Sequence, residues 1–315
     1  MPKILTLTLN PALDVSASVE TVVPGPKLRC TEPRYDPGGG GVNVARAILR
    51  LGGHSKAFVA LGGEIGRMSL AMLEAEGIDL VHFPVAGNSR QSFAVLETKT
   101  KKQYRFQLPG PDWADDQTAE MLAKLRPHLT KGSIVVMSGS LPPGMQPDIA
   151  STINEMTIEA GAQLILDTSG EALAEAAANT CAPFALLRMD GAEATEVSGR
   201  EFASPADLAD YGRELIRAGA AERLVMSIGA KGTVGVTADE RFFCRPPKIE
   251  TLSAVGAGDS MVAAITMQLA AGASFRDAVR HGVAAAGSAV LTPATELCSK
   301  EMADEILEKV VTEEI

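Results

Sequence analysis

Four short, β-rich apolar runs recur at residues 133–137, 163–167, 184–188 and 223–228, and each follows a stretch with helical spacing. This alternation narrows the fold more than any other feature of the chain. Parallel neighbours in a sheet need a crossover of about a dozen residues or more, normally a helix. The pattern therefore predicts an α/β chain with a doubly wound, mostly parallel sheet flanked by helices. A chain of 315 residues, 46% hydrophobic, suits one large or two small domains of this kind. In such a sheet, ligands lie outside the carboxyl ends of the strands. Polar residues follow the runs there: Ser138-Gly139-Ser140, Asp167-Thr168-Ser169, Arg188 with Asp190, and Ser227 with Gly229. Gly229-Ala230-Lys231-Gly232 then turns into residues 233–236, a hairpin expected at the sheet edge.

The first part of the chain has a different rhythm. Residues 3–9 read as a strand stopped by Asn10-Pro11, with Asp14 on the exit. Residues 15–23 alternate but are partly polar. Residues 92–97 and 103–108 alternate as well and are joined by Thr98-Lys99-Thr100-Lys101-Lys102, a hairpin signal with Arg90 at its entrance. These segments predict a small β-sheet standing off the main one. Helices are expected over residues 42–51, 67–76, 261–271 and 275–291, and a buried strand over 57–61.

Two glycine-rich stretches carry the chemistry. Gly38-Gly39-Gly40-Gly41 runs directly into an apolar helix. Four glycines are entropically costly and suit backbone that must touch a ligand; the bland alternative is a flexible linker. Gly256-Ala257-Gly258-Asp259 opens the helix at 261–271. First-turn N–H groups have no intrahelical partner, and the helix dipole favours an anion there. Asp259 would repel that anion unless it has its own task, such as taking a proton from an attacking hydroxyl. A glycine-rich turn with an aspartate favouring the helix start is the other reading.

Other classes are excluded or unsupported. The net charge of −10 argues against a nucleic-acid surface. No apolar run is long enough to span a membrane, and the chain enters a strand at residue 3 without a signal peptide. Cys30, Cys181, Cys244 and Cys298 are scattered, as reduced thiols of a cytoplasmic protein would be. His54, His82, His128 and His281 have no ligand-like spacing. Neither GxGxxG after the first strand nor GxxxxGK[ST] is present.

Taken together, the early glycine run with Asn43-Val44-Ala45 and the late Gly-Ala-Gly-Asp resemble the ribokinase/PfkB family of sugar kinases over essentially the whole chain. Residues 5–9, 27–31, 103–106, 138–144 and 167–173 resemble the branch of that family that acts on fructose 6-phosphate. Relatives acting on fructose 1-phosphate or tagatose 6-phosphate usually carry a lysine where this chain has Gly40, which tilts the reading to fructose 6-phosphate. The resemblance implies one ribokinase-like domain over residues 1–315, with a discontinuous β lid from about 12–36 and 90–109. It implies ATP with magnesium, a potassium ion near residues 251–255, and a homodimer joined through the lids. Asp259 would be the base, with Gly256, Ala257 and Gly258 as the anion hole. Asp14, Lys27, Arg29, Gly38, Gly39, Asn43, Arg90 and Ser140 would hold the sugar phosphate. Arg188, Asp190, Ser227, Gly229, Gly232 and Thr251 would line the nucleotide, and Glu193 with Asp190 the metal. A sugar-phosphate-binding regulator with a decayed nucleotide site is the reading from another class; the retained Asp259 and Glu193 argue against it.

The chain departs from the family pattern at two places. The family's Asn-x-x-Glu magnesium motif begins here with Asp190, and Ala254 stands where a threonine is common. On a strand, Arg188 and Asp190 would share a face, so a local ion pair between them could offset the added charge; a neutral surface substitution is the other reading.

Overall fold

The computed structural model describes residues 3–179, 181–292 and 296–315. Its main sheet has ten strands in the order β14-β13-β12-β11-β10-β9-β8-β1-β4-β5. From β5 to β11 all neighbours are parallel: β5 Asp79–Pro84, β4 Lys56–Leu61, β1 Ile4–Thr8, β8 Ile134–Ser138, β9 Gln163–Asp167, β10 Leu186–Asp190 and β11 Leu224–Ser227. The three remaining strands, β12 Thr233–Val236, β13 Arg241–Arg245 and β14 Val311–Glu314, pair antiparallel.

Both faces of this sheet are covered, and the central strands divide their residues between two main cores with a period of two. Leu5, Leu7, Val135, Met137, Leu164 and Leu166 enter one core, beside α3 (Asp115–Leu125), α4 (Ile149–Glu159), α5 (Gly170–Ala178) and α7 (Pro205–Ala218). Ile4, Ile134, Val136 and Ile165 enter the other, beside α1 (Gly40–Arg50), α8 (Ala257–Ala270), α9 (Phe275–Ala289) and α10 (Lys300–Leu307). Helix α2 (Gly63–Ala75), after β4, packs through Leu73 on a third, smaller cluster with Val42, Ala45, Val59 and Leu61, and α6 (Gly191–Ser198), after β10, sends Ala194 into the first core. The doubly wound, mostly parallel sheet read from the sequence is present.

A separate sheet has the order β3-β2-β6-β7. It comprises β2 Ala12–Val19, β3 Arg34–Gly38, β6 Arg90–Glu97 and β7 Gln103–Gln107. Its register sorts the side chains into two faces. One row carries Asp36, Asp14 and Ser92; the next carries Tyr35, Val15, Phe93 and Phe106. Tyr35, Leu96, Phe106 and Leu108 are exposed in the single chain.

Several elements depart from the sequence reading. The hairpin at residue 233 does not lie at the sheet edge, because β13 and β14 extend the sheet beyond it. Helices α1 and α2 begin two and four residues earlier than the apolar spacing indicates, inside their glycine-rich leaders, whereas α8 begins at Ala257, within the stretch read as its first turn. Strands β3 and β5 carry charged or proline residues and have no clean alternation. Cys30 and Cys181 are exposed, and Cys244 and Cys298 are buried. Among the described residues no helix is long and apolar enough to cross a membrane.

Candidate active site

Two helices begin against one another at the carboxyl end of the main sheet. Helix α1 follows Gly39, whose φ of 107° is open to glycine, and α8 follows Gly256 at φ 76°. A Cβ on Gly41 would come within 2.5 Å of the Leu7 carbonyl, so α1 packs on β1 with no side chain between them. That close approach brings Asn43, in the first turns of α1, to Asp259, in the first turn of α8. The Asn43 Nδ2 donates to Asp259 Oδ2 at 2.9 Å.

Asp259 is half-buried, and its carboxyl is pushed up to about 7. Burial is the main cause, followed by the Asp167 carboxylate; the Asn43 bond and the Arg188 guanidinium oppose it. A carboxylate tuned near neutrality can take up a proton there and release it again. Around it, the first-turn N–H groups of α8 provide donors and a positive helix end for an anion.

On one side stands the small sheet. Asp14 accepts a bond from Ser92, and burial raises its carboxyl to about 6 against the pull of Ser92, Arg90 and Arg105. Gly38 lies against that carboxylate, so closely that a Cβ would collide with Asp14 Oδ2. The Arg90 Nε donates to the Asn10 carbonyl at 3.2 Å, and burial lowers the basicity of its guanidinium. The Asn10 side chain in turn donates to Ser140 Oγ at 3.3 Å and to the Leu141 carbonyl at 3.0 Å. The Oδ1 atoms of Asn10 and Asn43 are buried without a protein partner, which suits a polyhydroxylated ligand.

On the other side lies a charged group. Arg188 bonds Asp167 at 3.1 Å and stands 3.8 Å from Glu193, and its Nε is buried without a partner. It lies directly beneath Gly258, where a Cβ would be 3.2 Å from one of its terminal nitrogens. Asp167 also accepts from Ser138 Oγ at 3.0 Å. The expected Arg188–Asp190 pair is not formed. Strand β10 ends at Asp190, whose side chain turns to cap α6: Asp190 Oδ1 accepts from the Glu193 N–H at 2.9 Å, and Glu193 Oε2 accepts from the Asp190 N–H at 2.7 Å. Asparagine and aspartate serve equally well at that capping position, so the fold tolerates either.

The capping box bears on magnesium. It engages one oxygen of each carboxylate and leaves the other available. Burial pushes the Glu193 carboxyl up. Among the described residues no three acidic, histidine or cysteine side chains converge as a direct cage. This donor set fits a hydrated ion contacted through its waters, as magnesium prefers.

The remaining candidates spread along the same edge. Ser227 ends β11, and its hydroxyl donates to Met261 Sδ at 3.4 Å. Gly229 and Gly232 flank the turn into β12, and Gly232, at φ 139°, lies against the backbone of Cys244. Thr251 is exposed at the start of the segment that reaches Gly256, and the next residue, Leu252, donates to the Val290 carbonyl at 2.8 Å. Lys27 and Arg29 are not brought to Asp14. Both are exposed between β2 and β3, and Arg29 lines a depression with Ser18, Glu20 and Thr98 at the far end of β2. Asn10, Asp36 and Arg105 join the cluster although the sequence reading gave them no role, and Asp167, read there only as a polar residue at a strand's carboxyl end, becomes the partner of Arg188. Asn10 could have been found by the rule that singled out Asp167, because it too lies where a parallel strand ends. Asp36 and Arg105 depend on strand register.

The profile described as "pfkB family carbohydrate kinase" matches residues 8–302. The ATP-dependent 6-phosphofructokinase isozyme 2 of Mycobacterium tuberculosis is 41% identical over 309 residues, 98% of this chain and 89% of that protein. Its namesake from Escherichia coli K12 is 37% identical over 96% of both chains. Crystal structures of phosphofructokinase-2 from Escherichia coli superimpose at 36% identity over 98% of this chain and 99% of theirs. A complex with potassium gives a TM-score of 0.93, and a complex with fructose-6-phosphate and a tetrameric inhibited form each give 0.91.

Proposed function

This chain belongs to the pfkB family of carbohydrate kinases, and from that premise we propose that it phosphorylates fructose 6-phosphate with ATP to give fructose 1,6-bisphosphate and ADP. The observation that carries the proposal is the Asn43–Asp259 bond, which sets a carboxylate of near-neutral pKa at the open end of α8. In this reading Asp259 takes the proton of the free primary hydroxyl while that oxygen bonds to the γ-phosphorus and ADP leaves. The N–H groups of Gly256, Ala257 and Gly258 receive the charge on the transferred group, where phosphoryl transfer gains most of its stabilisation.

Asp14, Gly38, Gly39, Asn43 and Ser140 hold the sugar hydroxyls, and Arg90 its phosphate. Arg188, Asp190, Ser227, Gly229, Gly232 and Thr251 face the nucleotide. Glu193 and Asp190 would hold magnesium through its waters, where the ion would neutralise triphosphate charge. A potassium ion beside residues 251–255 belongs to the same reading, supported by the potassium complex of phosphofructokinase-2 from Escherichia coli. The small sheet acts as a lid. Its row of exposed Tyr35 and Phe106 with half-buried Val15 and Phe93 gives two copies an apolar surface through which to pair. Lys27 and Arg29, far from Asp14 in the single chain, lie in the exposed segment that joins β2 to β3 of that sheet.

Steady-state kinetics with fructose 6-phosphate, tagatose 6-phosphate and fructose 1-phosphate tests the assignment. A kcat/KM at least about tenfold higher for fructose 6-phosphate is expected, the discrimination that a misplaced polar group of ~1.4 kcal/mol produces. Preference for either other sugar would reassign the substrate, and absence of sugar-dependent ATP turnover would favour a binding protein.

Two substitutions separate the halves of the site. Arg90→Ala should raise the KM for fructose 6-phosphate about tenfold or more while barely changing that for free fructose, since each charge-assisted bond contributes ~1.5–3 kcal/mol. Equal losses for both sugars would make Arg90 a structural residue. Asp190→Asn should leave the melting temperature unchanged and move the magnesium activation midpoint upward about fivefold. One charge at ~4 Å in a water-like medium contributes ~1 kcal/mol. Superimposable magnesium titrations would take Asp190 out of the metal's environment.

A further inference from the structure

An ion pair joins the small sheet to the far side of the site. Arg34, on β3, holds Asp36 through two nitrogens at 2.9 and 3.1 Å, and its third reaches Glu296 Oε1 at 2.5 Å. Asp36 lies 3.6 Å from Arg46, a charge only 2% exposed, which clasps Glu76 at 2.7 and 2.8 Å and bonds the Pro37 carbonyl at 3.1 Å. The sheet end of the pair is therefore anchored at the root of β3, two to four residues before Gly38.

The other end is equally constrained. Leu297, next to Glu296, is fully buried at φ 58°, a left-handed conformation that a branched side chain adopts only when its surroundings impose it. Its carbonyl accepts from Thr292 Oγ1 at 3.0 Å. Its side chain fills the space over Gly256, so closely that a Cβ there would collide with Leu297 Cδ2. Leu297 thus sets the position of the residue that opens α8.

We propose that Arg34 and Glu296 are positioning residues that couple the two halves of the site: the pair ties β3, which carries the sugar-side sheet into Gly38, to Leu297, which seats Gly256 at the anion-binding end of α8. Ordering of the sheet by a sugar phosphate is transmitted to the donors that face the transferred group, and nucleotide on those donors is transmitted back. Such coupling is reciprocal by necessity. The pair is partly exposed, at 41% and 37%, so its effect is modest. It exceeds that of an isolated surface pair because Asp36 already restricts the Arg34 side chain.

This inference rests on the kinase reading, and the test separates the two. The dissociation constant of fructose 6-phosphate is measured on the full chain with and without a saturating non-hydrolysable ATP analogue and magnesium. Wild type should bind the sugar more tightly with the analogue present. Arg34→Ala, Glu296→Ala and the double variant should each reduce that enhancement by the same factor, about threefold to fivefold. Either ligand alone should bind within twofold of wild type, and Arg34→Lys should keep most of the enhancement. Enhancements equal to wild type in all variants, or losses that add in the double variant, would overturn the coupling while leaving the kinase assignment intact. A wild-type chain that binds neither ligand would overturn both.

Discussion

Asp259→Asn is expected to fold normally, to bind fructose 6-phosphate within about threefold of wild type, and to lose two to four orders of magnitude in kcat, the usual contribution of a general base. Asparagine keeps the shape and can still bond Asn43, so the loss isolates proton acceptance. A variant retaining more than a tenth of wild-type kcat would remove Asp259 from that role. The wild-type pH profile gives an independent check. With its carboxyl raised to about 7, Asp259 accepts a proton only when ionised, so kcat/KM should fall as pH drops below ~7. Asp14, itself raised to about 6 by burial, adds a minor repulsion that helps to hold the Asp259 carboxyl up. The stability effect has the opposite sense. A carboxyl raised from 3.8 destabilises the fold progressively as pH climbs from its unfolded value towards 7. The asparagine variant should therefore be at least as stable as wild type at pH 8, and a drop in its melting temperature would show that the charge supports the fold.

Gly40→Ala should be severely damaging, destabilising the chain by about 3 kcal/mol or more. The added Cβ would collide with Ser138 Oγ and lie 2.5 Å from the backbone of Ser138 and Gly139. Relief would have to displace the turn after β8, which is pinned from the far side. Gly139 donates to the Asp167 carbonyl at 2.9 Å, and Thr168 returns a bond to the Gly139 carbonyl at 3.0 Å. Gly191→Ala is the contrast. Its Cβ would have 3.6 Å to the Ser227 carbonyl, and alanine is the better helix former at that position. Urea unfolding monitored by circular dichroism should place the two variants far apart. Equal midpoints would mean that the Ser138 turn moves freely, and the argument from close approach would fail.

What the sequence could convey followed the reach of local interactions. Strands β1, β8, β9, β10 and β11 are apolar on both faces, so runs of valine, isoleucine and leucine announced them. Asp79–Pro84 and Arg34–Gly38 are held by tertiary pairing with β4 and β2, and nothing in their own composition marks them. The starts of α1 and α2 were placed late because apolar spacing begins only after Gly40 and Gly63, residues whose backbones approach their neighbours closely. At the site, Gly38, Gly39, Asn43 and Asp259 were legible as motifs. The partners that set their chemistry were not: Asp36 faces Asp14 only through register, and the Arg188–Asp167 bond spans 21 residues. The expected Arg188–Asp190 pair failed for a local reason, since a side chain at a strand end is free to cap the helix that follows.

The distribution of thiols makes the native chain its own ruler. The thiolate is the species that alkylates, and burial raises the pKa of Cys244 and Cys298. A maleimide dye will therefore find Cys30 and Cys181, the exposed pair. One lies in the segment that joins β2 to β3 of the small sheet; the other lies between α5 and β10, on the main body. Donor and acceptor fluorophores on these two positions report the distance between sheet and body without any engineered cysteine, so the proposed closure on a sugar phosphate would be read as a change in energy-transfer efficiency, followed one molecule at a time.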